Sequence, residues 1–274
     1  MPFVQVNDVK LHYQMEGSGP PLLMVAGTGL PGATWRTGPS AQYAAEGFTV
    51  ITYDHRGTGD SDKPDVDYST RMFAADAVGL LQALDIPRAH VLGHSMGGRV
   101  VQWLALDHPE RVRSLVLAAG SPGEIDPRNP VTRGIPLNDA VGLAEKGYEG
   151  FIRSLFASTF FFTPEFCRDH ADVIQRLTDT FWANRPPLKL YLRHTIARQQ
   201  HQTADRLHEI TVPTLIIVGS ADTVTGNLLM GQYLAEHIPG AEFKAVDGSA
   251  HMLFWQKPAE TCSAIVEFLR RHSN

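Results

Sequence analysis

The chain has 274 residues, of which 43% are hydrophobic and 19% charged, with a formal net charge of −5 when histidine is neutral. That length buries a core without disulfides or metal, as one large domain or one domain with an insertion, and the acidic balance, with no Lys/Arg stripe to offset it, argues against a nucleic-acid partner. No apolar run approaches the roughly 18 residues that span a bilayer, no basic-then-apolar segment opens the chain, and Cys167 and Cys262 fit no disulfide framework or metal motif, so the expectation is a soluble cytoplasmic protein with no membrane partner, free to form a homo-oligomer.

The opening reads as two strands, Phe3 to Val6 and Val9 to Gln14, joined at Asn7-Asp8. Glu16 to Pro21 breaks the pattern. Short apolar runs follow at Leu22 to Ala26, Thr49 to Tyr53, Ala89 to Leu92, Ser114 to Ala118, Thr214 to Val218 and Glu242 to Val246. Runs of this kind suit strands buried on both faces of a parallel sheet. Between them lie helical stretches at Thr70 to Leu84, Met96 to Leu106, Leu228 to His237 and Ala259 to Arg271. The fold class is therefore α/β, a mostly parallel sheet with an early antiparallel strand and helices on both faces.

The alternation stops between about Pro122 and Arg206, where helical segments and aromatics replace it. Residues 122–205 are expected to form a helical cap over one end of the sheet, with 1–121 and 206–274 as the core. The cap's aromatics, Phe160-Phe161-Phe162 among them, either line a pocket or pack the cap's own interior. His194 and His201 also fall here, at a spacing that matches no zinc pattern, and no metal is expected.

Gly27-Thr28-Gly29-Leu30-Pro31-Gly32 matches a dinucleotide-binding fingerprint, with Asp54 at the end of the next strand. That motif should open straight into a helix, and Gly38-Pro39 interrupts it. Two strands also precede this one, which a first Rossmann unit would not have.

The chemistry centres on Gly93-His94-Ser95-Met96-Gly97, between a predicted strand and a predicted helix. G-x-S-x-G in that context is a nucleophile elbow, with small residues where side chains would collide with neighbouring backbone, and Gly98 adds room for helix–sheet contact. The helix N-terminus behind Ser95 directs N–H groups and a positive dipole end at the site. A serine hydroxyl needs a base. His251, in a loop after the last strand, is the candidate, and Asp222, directly after the strand ending at Val218, would orient it. The order Ser95, Asp222, His251 and the placement of each beyond a strand's C-terminal end agree with one another.

Along essentially all its length the chain resembles the α/β-hydrolase family. The elbow is joined by Asp54-His55-Arg56-Gly57-Thr58-Gly59-Asp60-Ser61, similar to that family's D-x-R-G-x-G-x-S loop, and by acid and base segments at Gly219 to Asp222 and Ala250-His251, with Gln256-Lys257-Pro258 beyond. The resemblance implies a capped core and hydrolysis through an acyl-enzyme, with no cofactor. Where many relatives carry His-Gly before the oxyanion loop, this chain has Ala26-Gly27. The amides of Thr28 and Met96 are expected to hold the oxyanion, and Gly29, His94, Phe160, Phe161 and Val224 to line the substrate pocket. The expected substrate is a small to medium, partly apolar ester or lactone. Arg193 and Arg198 could bind a substrate carboxylate or pair with local acids. Two alternatives stay open: a carbon–carbon bond hydrolase of a vinylogous diketone, although such relatives usually have Asn where His94 stands, and a ligand-binding module that catalyses nothing. Ser95 argues against the relatives that use an aspartate nucleophile.

Overall fold

Each short apolar run finds a neighbour, and together they form one eight-stranded sheet in the order β1-β2-β4-β3-β5-β6-β7-β8. The computed structural model describes residues 2–125, 136–224 and 228–273, and of residues 136–141 the backbone alone. β1 (Phe3–Val6) and β2 (Val9–Glu16) make a hairpin, and β2 runs antiparallel to β4 (Thr49–Tyr53). β3 (Pro21–Val25), β5 (Ala89–His94), β6 (Val112–Ala118), β7 (Thr214–Gly219) and β8 (Glu242–Val246) continue the sheet in parallel.

Parallel neighbours need crossovers, and helices supply them. In chain order these are α1 (Pro39–Ala45), α2 (Thr70–Ala83), α3 (Met96–Asp107), α4 (Pro136–Phe156), α5 (Pro164–Asp169), α6 (Ala171–Ala183), α7 (Leu188–Gln199), α8 (Leu228–His237), α9 (Leu253–Gln256) and α10 (Pro258–Arg271). The strand period of two splits the core. Leu23 and Val25 of β3 face α2, α3 and α8, while Leu22 and Met24 face α1 and α10. Each fully buried leucine contributes roughly 1.5–3 kcal/mol. β8 corrects the expectation of strands buried on both faces: Glu242, Phe243 and Lys244 are exposed, because β8 pairs only with β7 and ends the sheet. A charged edge also discourages pairing with other chains.

Helices α4 to α7 fall between β6 and β7. The start of the expected cap, residues 126–135, lies outside the described residues. α7 and the segment after it are fastened to the core by buried polar bonds. His194 Nε2–H donates to the Arg56 carbonyl (2.9 Å), and Arg99 Nη1 to the Arg198 carbonyl. Thr70 Oγ1 pairs with His201 Nδ1 (2.9 Å), and Thr203 Oγ1 donates to Gln102 Oε1 (2.7 Å).

The loop after β4 is held by Arg56, whose Nε and Nη2 grip the two carboxylate oxygens of Asp76 on α2 at 2.6 and 2.7 Å. Both side chains are buried, and burial outweighs the guanidinium in pushing the Asp76 carboxyl above its ordinary range. Removing one member of such a pair strands the other's charge. Asp76→Ala is expected to cost about 3–5 kcal/mol, read from the urea midpoint. The exposed Asp8, which also meets Arg56, should cost under about 1 kcal/mol when replaced.

Candidate active site

Ser95 sits between β5 and α3 with φ 58° and ψ −116°, a left-handed conformation that costs a non-glycine residue about 1–3 kcal/mol. The turn persists because its surroundings over-determine it. The Ser95 N–H donates to the Ala118 carbonyl at the end of β6 (2.9 Å). A Cβ on Gly97 would stand 2.1 Å from the Val25 carbonyl oxygen, so α3 can approach β3 only with glycine there. Met96, buried, is the first residue of α3, which leaves its N–H at the helix N-terminus.

Asp222 and His251 come from the loops after β7 and β8. His251 Nδ1–H donates to Asp222 Oδ2 at 2.9 Å, and the other carboxylate oxygen accepts the Val224 N–H at 2.7 Å. Both side chains are almost wholly buried. Since Nδ1 carries the proton, the Nε2 lone pair is left to accept another. The two loops are laced together: the Ala221 N–H donates to the Ser249 carbonyl, and a Cβ on Gly219 would lie 2.3 Å from the carbonyl oxygens of Ser249 and Ala250.

Ser95 and His251 open into one partly open cavity, with about 750 Å³ of atom-free space counting its mouth. Thr28, His94, Phe160, Phe161 and Val224 line it. Gly29 does not. Its φ of +65° turns it away, and a Cβ there would meet the Tyr191 ring at 2.7 Å, so its role is to let Tyr191 pack. The hydroxyl of Thr28 is buried without a partner. Gly27 lies against the serine, since a Cβ there would be 3.3 Å from Ser95 Cβ. The loop's missing histidine has a substitute: His55 Nε2–H donates to the Ala26 carbonyl (3.2 Å), and burial pushes that imidazole down to about 4, which keeps it neutral.

His94 lines the cavity and also holds the His251 backbone, donating Nε2–H to the His251 carbonyl at 3.0 Å. Burial, then the neighbouring His251, push it down to about 3. The aromatic run divides by residue. Phe161 stacks on the His251 ring (5.6 Å, 24°) while its carbonyl accepts the Met252 N–H. Phe160 stays 41% exposed at the rim, and Phe162 is buried against Phe166. Of the two arginines, Arg193 pairs with Asp65 and Arg198 lines the cavity. Sequence reasoning missed Ile152 and Leu155 of α4, and Met252, whose only signal is adjacency to His251.

The glycine-rich loop is no nucleotide cradle. It runs into a short 3-10 helix, Gly32–Thr37, and Asp54 is bonded within its own surroundings. Its Oδ1 accepts the Gly32 N–H (2.7 Å), and its Oδ2 takes the Asp60 N–H and His12 Nδ1. His12, Asp54 and Asp60 are close enough together to hold a cation, but those bonds already occupy the Asp54 oxygens.

A family model described as alpha/beta hydrolase fold matches residues 20–258. "Putative carbamate hydrolase RutD" of Azorhizobium caulinodans is 32% identical over 254 residues, covering 92% of this chain and 91% of its own. A 2-hydroxy-6-oxononadienedioate/2-hydroxy-6-oxononatrienedioate hydrolase of Paraburkholderia xenovorans is 31% identical, covering 96% and 91%. Among solved structures, Est816, described as an N-acyl homoserine lactone degrading enzyme, superposes with a TM-score of 0.82 at 28% identity, over 97% of this chain and 100% of that one.

Proposed function

The chain belongs to the α/β-hydrolase family, and from that membership we propose that it is a serine hydrolase cleaving small to medium, partly apolar carboxylic esters or lactones. The observation that supports this reading is that Ser95 and His251, the latter hydrogen-bonded to Asp222, both line one cavity of mainly apolar lining. Ser95 Oγ attacks the carbonyl while His251 Nε2 accepts its proton. Asp222 stays ionised and holds the imidazole in the tautomer the transfer needs. The Thr28 and Met96 amides take the developing oxyanion, where a donor is worth roughly 3–4 kcal/mol. His251 then protonates the leaving group, and the acyl-enzyme is released by a water that His251 activates.

Two relatives keep other bonds in view, one named for a carbamate and one for a carbon–carbon cleavage substrate. A panel of p-nitrophenyl esters, lactones, carbamate esters and vinylogous diketones separates these readings. Turnover of the esters and lactones is expected. Turnover confined to the diketones or to the carbamates would replace this reading, and no turnover without covalent labelling of Ser95 would point to a binding module.

Phe161 covers the face of the imidazole that becomes cationic in this mechanism. Phe161→Leu is expected to lower kcat/KM roughly 2- to 10-fold, with Phe161→Tyr restoring most of the loss, as measured by steady-state kinetics.

A further inference from the structure

We propose that Arg198 makes this cavity selective for substrates that carry a carboxylate at the end remote from the scissile carbonyl, that is, monoesters or lactones of dicarboxylic acids. The proposal rests on reading Ser95 as the nucleophile of the same cavity. Arg198 is the one arginine or lysine among the described residues that line it, and none of those residues is a carboxylate. The rest of the wall is chiefly Leu30, Ile152, Leu155, Phe156, Phe181 and Met252. In such surroundings a guanidinium attracts an anion far more strongly than it would in water. Its planar fork matches a carboxylate's two oxygens, and its five donors can take one alongside the contacts it already makes.

A second observation points the same way. Arg99 stands one turn beyond Ser95 on α3 and is 2% exposed. Its Nη1 donates to the Arg198 carbonyl, while its Nη2 is buried with no hydrogen-bond partner among the described residues. No acidic side chain pairs with it among the described residues. Burial, then the charge of Arg198, push Arg99 down to about 9. The buried Arg99 and the half-buried Arg198 thus stand beside the helix that carries Ser95 at its start, and the bond from the Arg99 guanidinium fixes the Arg198 backbone relative to Ser95. Arg193 pairs with Asp65 and is not among the residues that line the cavity.

The test compares p-nitrophenyl butyrate with mono-p-nitrophenyl glutarate, whose acyl chain ends in a carboxylate. Wild type is expected to favour the glutarate. Arg198→Gln should lower the glutarate-to-butyrate ratio of kcat/KM roughly 10- to 100-fold, with Arg198→Lys retaining part of the preference. Equal losses on both esters, or an unchanged ratio, would make Arg198 a structural residue and overturn the proposal. Calorimetry of Ser95→Ala with monomethyl and dimethyl glutarate separates this from the nucleophile assignment. Tighter monoester binding that Arg198→Gln abolishes supports the anion site even if wild type cleaves neither ester. Equal affinity for the two overturns it.

Discussion

Replacing Ser95 with alanine is expected to lower kcat by about 10⁵-fold or more and to abolish labelling by a fluorophosphonate probe. Members of a nucleophile–base–acid set act as a unit, so losing the nucleophile removes the acyl-enzyme route while the oxyanion donors and the cavity survive. The variant should stay folded. Alanine keeps the Cβ at φ 58°, so neither the turn's strain nor the Ser95 amide's bond to Ala118 changes. Ser95→Gly makes a useful companion, because glycine takes positive φ at no steric cost; it should be equally inactive and melt higher. Equal labelling of wild type and Ser95→Ala would place the nucleophile elsewhere. Asp222→Asn, which keeps the shape but misplaces a proton, should cost about 10⁴-fold.

The second large effect is acid lability. His55 and His90 are pushed down to about 4, His94 and His194 to about 3, and His201 well below its ordinary value, in each case chiefly by burial. A histidine whose pKa is depressed in the fold contributes its full stability above the unfolded value near 6.5. That contribution is lost as pH falls from there toward the folded value, because the unfolded chain binds the proton first. Between pH 7 and pH 5 each such group costs about 2 kcal/mol. Five together reach roughly 10 kcal/mol, comparable to the whole stability of an ordinary domain. The melting temperature should fall steeply below about pH 6 and the fold should be lost near pH 5. A melting temperature unchanged between pH 7 and pH 5 would mean that these imidazoles are charged or exposed in solution.

The residues proposed to carry the chemistry were legible because each occupies a position the sheet defines. Ser95 and Asp222 closely follow the apolar strands β5 and β7, and His251 lies in the loop after β8, so their placement follows from recognising the strands. The cavity wall was harder. Arg193 and Arg198 are five residues apart on α7, and at 3.6 residues per turn that separation turns them some 140° from each other. Composition alone cannot choose between them, but one lines the cavity and the other meets Asp65. Gly29 was misjudged for a related reason: a positive φ reverses the direction its neighbours suggest. Phe160, Phe161 and Phe162 are identical in kind, and only the chain's path to the Met252 amide separates rim, stack and core.

For anyone reshaping the substrate range, the cavity has one hard wall and one soft one. The hard wall is α7, where the bonds of His194 to Arg56 and of Arg99 to Arg198 leave little freedom to vary the backbone. Shifting that helix would strand buried polar groups at about 1–3 kcal/mol apiece. The soft wall is Ile152, Leu155 and Phe156 of α4, where one apolar volume exchanges for another at under about 1.5 kcal/mol when the total is conserved. A library confined to those three positions would sample substrate shape while leaving Ser95, His251 and the arginines in register.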